Sequence, residues 1–178
     1  MKKFFLILLL SAAFLLLSCG GSETAADIPE CSEKLLFPCT DKASGLIWSV
    51  PSPHLKNWDD AVFYCESLEE NDQEWRLPDI DELRTLIQSC YGTVTGSECR
   101  VSEKNKCLSF DLCWSTFCYC ELDEDKKYSK FGDLGGFWSS SLSGTEGGAW
   151  YINFSEAKIF DDTKENSYRV RCVSDQEN

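Results

Sequence analysis

Eleven cysteines in 178 residues restrict this chain more than any other feature. An odd number cannot pair completely within one chain, so at least one cysteine has another task. Cys19 is the outlier: it stands alone at the end of an apolar run, in "FLLLSCGGSE". Without it ten remain, namely Cys31, Cys39, Cys65, Cys90, Cys99, Cys107, Cys113, Cys118, Cys120 and Cys172. Ten is even, as five disulfides require, and a secreted chain this rich in cysteine is normally a stapled scaffold. Zinc is the competing use, because Cys113, Cys118 and Cys120 lie close together. The single histidine, His54, and the lack of a paired C-x-x-C motif make metal-ligand spacing poor. The cysteines are therefore expected to be bridged, with no cofactor and no metal.

The stretch before Cys19 explains its separate role. Lys2 and Lys3 precede an apolar run from Phe4 to Leu17, which falls short of the roughly 20 residues of a spanning helix. A basic start and a short apolar core describe a secretory signal peptide, here residues 1–18. Leu16-Leu17-Ser18-Cys19 is similar to the bacterial lipobox, which implies cleavage before Cys19 and acylation of its thiol. Two or three acyl chains anchor a protein stably where one does not. Residues 19–30 are small, polar and acidic, and read as a flexible tether. Gly20 follows the acylated position where the inner-membrane retention signal has Asp. By analogy to that sorting rule, the expected location is the bacterial cell envelope, lipid-anchored in the outer membrane.

The formal net charge of −13 disfavours nucleic acid, anionic lipid and sulfated sugar as partners. The expected partners are the membrane, through the N-terminal lipid, and a polysaccharide or surface protein. Without internal repeats or a second linker, residues 31–178 read as one domain with a substantial core.

Within that domain "SGLIWS" (44–49) reads as a strand. Trp58, Ala61, Val62, Cys65 and Leu68 mark one face of a helix, with Asn57 as N-cap and Asp59 and Asp60 in its first turn. A second helix follows Pro78, with Asp79 and Glu82 forming an acidic capping box and Ile80, Leu83, Leu86 and Ile87 forming the buried stripe. Asp79, Asp81 and Glu82 could suggest calcium, but capping accounts for them. Residues 90–130 carry six cysteines and no clear period, so they read as an insertion held by internal bridges. Six cysteines allow fifteen connectivities, and the sequence does not choose among them. "GGFWSSS" (135–141), "GGAWYINF" (147–154), "AKIFDD" (157–162) and "YRVRCV" (168–173) read as an antiparallel meander. In the last of these, Tyr168, Val170 and Cys172 are expected to point inward and Arg169, Arg171 and Val173 outward. The fold class is α+β: two helices packed on a small antiparallel sheet, with a cysteine-rich insertion.

The phrases "GLIW" with "W-x-x-A-x-x-Y-C", "W-R-L-P-x-x-x-E-L" and "FWSSS…AWYINFS…Y-x-V-R-C-V" occur in that order over residues 44–173. As an ordered set they resemble the Lcl C-terminal domain family of bacterial surface proteins and lipoproteins. The resemblance implies a C-type-lectin-like fold, related also to the formylglycine-generating enzymes. It further implies a bridge between Cys65 and Cys172, which the inward-facing helix and strand positions of the two residues allow. That bridge closes a loop of about 100 residues, worth up to roughly 4.7 kcal/mol. Cys31 and Cys39 are near enough in sequence to staple an N-terminal hairpin. The insertion and Asp79, where a threonine is common, depart from the family pattern.

Catalytic motifs are missing. His54 sits in a proline-flanked loop without a nucleophile motif, and no G-x-S-x-G, P-loop or dinucleotide fingerprint occurs. Ser139, Ser140 and Ser141 read as a strand edge making backbone hydrogen bonds. The formylglycine-generating enzymes bind copper with a cysteine pair, and Cys118 and Cys120 are the pair this chain would offer. Bridging to other insertion cysteines is their simpler fate. The lectin motifs E-P-N and W-N-D are also missing. A non-catalytic binding or adhesion module is the reading expected, with Trp114, Phe117 and Tyr119 as candidate ligand-binding residues for sugar stacking or a protein hot spot. A structural envelope lipoprotein is the first alternative, and a formylglycine-generating-type oxidoreductase the more remote one. Exposure of the insertion aromatics separates the binding reading from the structural one.

Overall fold

The computed structural model describes residues 28–32, 38–123 and 127–176. The leader, Cys19 and the tether up to residue 27 lie outside the described residues. No described helix is long and apolar enough to cross a membrane. The described residues form an α+β fold of nine short elements. In order they are β1 (Cys39–Asp41), β2 (Leu46–Trp48), α1 (Trp58–Glu66), α2 (Ile80–Arg84), α3 (Phe110–Cys113), β3 (Gly136–Leu142), β4 (Gly148–Asn153), β5 (Lys158–Thr163) and β6 (Val173–Asp175). The strands form two three-stranded antiparallel sheets, β1–β2–β6 and β3–β4–β5.

Local chemistry sets both long-expected helices. The Asn57 side chain accepts from the Asp60 amide at 2.8 Å, and Ala61 and Cys65 are buried. Asp79 and Glu82 complete the capping box at α2, with bonds of 2.7 and 2.9 Å. Glu82 also receives a bidentate pair from Arg76 at 2.6 and 2.7 Å. The capping box engages Asp79 and Glu82, two of the three carboxylates that resembled a calcium site. The α2 helix has only five residues, and its apolar stripe continues through tight turns, so that Leu86 and Ile87 are buried beyond its end.

The four-strand meander is corrected to three. Residues 168–172 leave the β3–β5 sheet and cross to the other one. Tyr168 exchanges backbone bonds with Lys56, Arg169 bridges Phe137, and Cys172 accepts from the Ser49 amide before the chain becomes β6. The alternation misled because it presumed one wet face. Arg171 is only 6% exposed and Val173 is wholly buried, so both sides of this segment are covered. Arg171 is satisfied there by Asp133 at 2.8 Å through two nitrogens and by the Ser49 carbonyl at 2.6 Å. It also lies over the Phe131 ring. A buried charge is tolerable only with such pairing.

The β3–β5 sheet carries a core on each side. Trp138 and Ala149 join Ala61, Cys65, Leu77 and Val170 in one. Phe137, Trp150, Ile152 and Ile159 join Ile80, Leu83 and the insertion's Val101 in the other. The serine run is structural, as its reading as a strand edge expects. Ser139 Oγ donates to the Trp150 carbonyl at 2.7 Å, the Ser140 amide donates to Pro78, and Ser141 Oγ accepts from the Ile80 amide.

Cys65 and Cys172 are bridged across 107 residues, joining α1 to the segment between the two sheets, and Cys31 and Cys39 are bridged across eight. Loop-closure entropy ranks them: removing the long bridge in Cys65→Ala/Cys172→Ala should lower the unfolding free energy by about 4 kcal/mol. Cys31→Ala/Cys39→Ala should cost roughly half as much. Urea unfolding of both double variants checks this, and equal losses would contradict it.

Candidate functional site

The insertion is ordered by three nested bridges: Cys90–Cys120 encloses Cys99–Cys118, which encloses Cys107–Cys113. This is one of the fifteen connectivities left open by the sequence. Nesting lays the limb that starts at Cys90 against the limb that ends at Cys120. The second limb also docks on the sheet: the Ile159 amide donates to the Cys118 carbonyl, and the Cys120 amide to Glu156, both at 2.9 Å.

Each limb carries aromatic residues beside its half-cystines. Tyr91 follows Cys90, Phe117 precedes Cys118, and Tyr119 lies between Cys118 and Cys120. Tyr91 is 92% exposed, Phe117 53% and Tyr119 39%. All three line one shallow groove of about 560 Å³, together with Ser97, Glu98 and Thr116. Gly92 permits the limbs to meet: a Cβ there would fall 2.6 Å from the Phe117 carbonyl oxygen.

The limb that starts at Cys90 is tied to α2 by Arg84, which is 2% exposed. Its Nε donates to the Thr93 carbonyl at 3.0 Å, and one terminal nitrogen donates to the Val101 carbonyl. The other reaches the Val94 carbonyl at 2.9 Å, the Cys99 carbonyl at 3.3 Å and Ser97 Oγ at 3.1 Å. Burial lowers the Arg84 pKa, and the Asp81 carboxylate 3.8 Å away opposes that shift. Asp81 is held in turn by Ser102 Oγ and the Lys104 amide, each at 2.9 Å. Its role is thus to balance Arg84, a contact unseen in the sequence because the partners of Arg84 are backbone carbonyls. Across the Gly96–Ser97 ridge lies a second cleft of about 510 Å³, where Arg100, Lys104 and Lys106 gather beside Asp81 and Arg84.

Phe117 and Tyr119, named from sequence, are therefore brought together. Trp114 is placed elsewhere: its indole donates to the Ile159 carbonyl at 2.9 Å, and its ring stacks on Phe110 at 5.3 Å and meets Phe160 edge-on at 5.7 Å. Tyr91 was missed, although its position next to a half-cystine was the available signal. Cys118 and Cys120 are both spent in bridges, to Cys99 and Cys90. His54 is exposed in its loop. Among the described residues no group of three or more His, Cys, Asp or Glu side chains is placed to hold a metal ion.

Arg84→Met would leave several buried carbonyls and Asp81 without their partner, and should destabilise the protein by about 3 kcal/mol or more. Hydrogen exchange should show lost protection at residues 93–101 and retained protection in β3–β5. A loss below roughly 1 kcal/mol would contradict the role given to Arg84.

The family model for the Lcl C-terminal domain matches residues 38–174, from just before β1 into β6, with the described helices and the insertion between. No curated protein and no solved structure matches the chain. With the match covering most of its length, the chain belongs to the Lcl C-terminal domain family.

Proposed function

We propose that this protein is a non-catalytic binding or adhesion module of the bacterial cell envelope, lipid-anchored through Cys19 in the outer membrane. The observation that carries the reading is the groove of Tyr91, Phe117 and Tyr119, whose rings are exposed while their backbones are fixed by disulfides. Exposed aromatic side chains held in place lose little conformational entropy on binding, which is what a recognition surface requires. A purely structural insertion would pack them on neighbouring rings, as it packs the half-buried Trp114 ring against Phe110 and Phe160. The non-catalytic reading draws support from the bridged Cys118 and Cys120 and from Ser139 and Ser141 being engaged in the fold.

A C-type-lectin-like relationship is part of the same proposal. The bridge between α1 and the C-terminal segment supports it, since the family resemblance implies that bridge. The division of the strands into two sheets differs from the single small sheet expected.

Two measurements test the proposal. Metabolic labelling with palmitate should mark the wild-type chain and leave Cys19→Ala unlabelled. Proteoliposomes carrying the full-length protein, passed over an array of glycans and purified envelope and matrix proteins, should be retained on a defined class of spot. Tyr91→Ala/Phe117→Ala should reduce that retention at least about tenfold, the loss expected from removing about 1.4 kcal/mol of aromatic contact. Retention that survives this double variant would contradict the assignment of the groove, and so would a chain that binds nothing on the array.

A further inference from the structure

We infer that the groove takes a neutral glycan, with its aromatic rings stacking on the apolar faces of pyranose units. This rests on reading the groove as the binding face, and it names the chemistry of what binds there.

Size narrows the ligand first. A groove of about 560 Å³ falls in the range of small-ligand sites, roughly 300–1,000 Å³. That volume has room for one or two sugar rings. The rings are also free to be used. Among the described residues, Tyr91, Phe117 and Tyr119 stack on no other ring, whereas Trp114, Phe110 and Phe160 pack on one another. Stacking suits the C–H face of a pyranose, which is apolar while its edge carries hydroxyls.

Polar groups match that edge. Thr116 and the two tyrosine hydroxyls line the groove with groups that both donate and accept, while Ser97 Oγ is engaged by the Gly92 carbonyl and Arg84. Glu98 adds an acceptor for hydroxyl donors, and it is the one charged side chain lining the groove. A carboxylated or sulfated sugar placed there would face Glu98 and a chain of net charge −13, and the like-charge contact selects against it. The cations of this region stand across the Gly96–Ser97 ridge, where the N–H groups of Arg84 are already taken by carbonyls and Ser97. A neutral hexose-containing glycan matches Thr116, the tyrosine hydroxyls and Glu98, and an anionic one leaves a repulsion.

The test uses full-length protein in proteoliposomes on glycans matched in backbone and differing in charge, with free neutral oligosaccharide as competitor. Wild type should be retained on neutral spots and released by the competitor. Tyr91→Ala and Tyr119→Ala should each reduce retention about tenfold, with urea midpoints unchanged. Glu98→Gln should keep neutral binding within about threefold and raise retention on carboxylated glycans several-fold. Retention confined to acidic glycans and lost in Lys104→Gln/Lys106→Gln would place the ligand in the neighbouring cleft. That result would overturn this inference and leave the binding-module reading in force. Retention on protein spots alone, through the same rings, would also overturn it while sparing that reading. A blank over the whole array, on folded protein, would remove both.

Discussion

The nested bridges Cys90–Cys120 and Cys99–Cys118 are the constraint on which the functional face depends. Residues 90–120 offer neither an amphipathic helix of useful length nor a strand ladder; α3 has only four residues. A segment of this kind would normally remain an open loop, because unpaired backbone and few apolar contacts do not offset the entropy of ordering it. Covalent closure removes much of that entropy from the unfolded chain instead. It also frees the aromatic side chains beside the half-cystines from structural work, so they can stay at the surface.

The bridges are not sufficient alone, because a cross-linked loop still has to be placed. Arg84 supplies the placement by filling backbone acceptors along residues 93–101 from a rigid position at the end of α2. The α2 helix is itself fixed by its capping box and by the Ile80 amide donating to Ser141 of β3. A chain of contacts therefore runs from the sheet through α2 and Arg84 to Ser97 at the groove. On the opposite side, backbone bonds attach Cys118 to Ile159 of β5 and Cys120 to Glu156 in the turn before it. The family's framework positions the insertion from two directions, and the insertion's Val101 and Cys118 complete the core under α2 in return.

What could be read in the sequence was governed by short-range chemistry. Asn57, Asp79 and Glu82 act within a few residues of themselves, so their capping roles were legible, and the buried stripe of Ile80, Leu83, Leu86 and Ile87 followed from periodicity. The bridge between Cys65 and Cys172 came only through family resemblance, since sequence spacing of 107 residues carries no pairing information. Arg171 was misplaced because period two reports side-chain direction and not what covers each side. Its partner Asp133 lies 38 residues away, with no local pattern linking them. The groove was half legible: Phe117 and Tyr119 stood out as insertion aromatics, but Tyr91 joins them only once the nested connectivity is known. Trp114 looked equivalent to them in sequence and differs by its access to the Ile159 carbonyl and the Phe110 and Phe160 rings.

The groove exists as described only with that connectivity. Peptide mass spectrometry of the full-length protein, alkylated and digested without reduction, tests it directly. The predicted linked peptides join Cys90 to Cys120, Cys99 to Cys118 and Cys107 to Cys113, with no free thiol among these six. Exchange of partners between the two outer bridges, or free thiols at Cys118 and Cys120, would contradict the framed groove and return those two cysteines to consideration as a reactive or metal-binding pair.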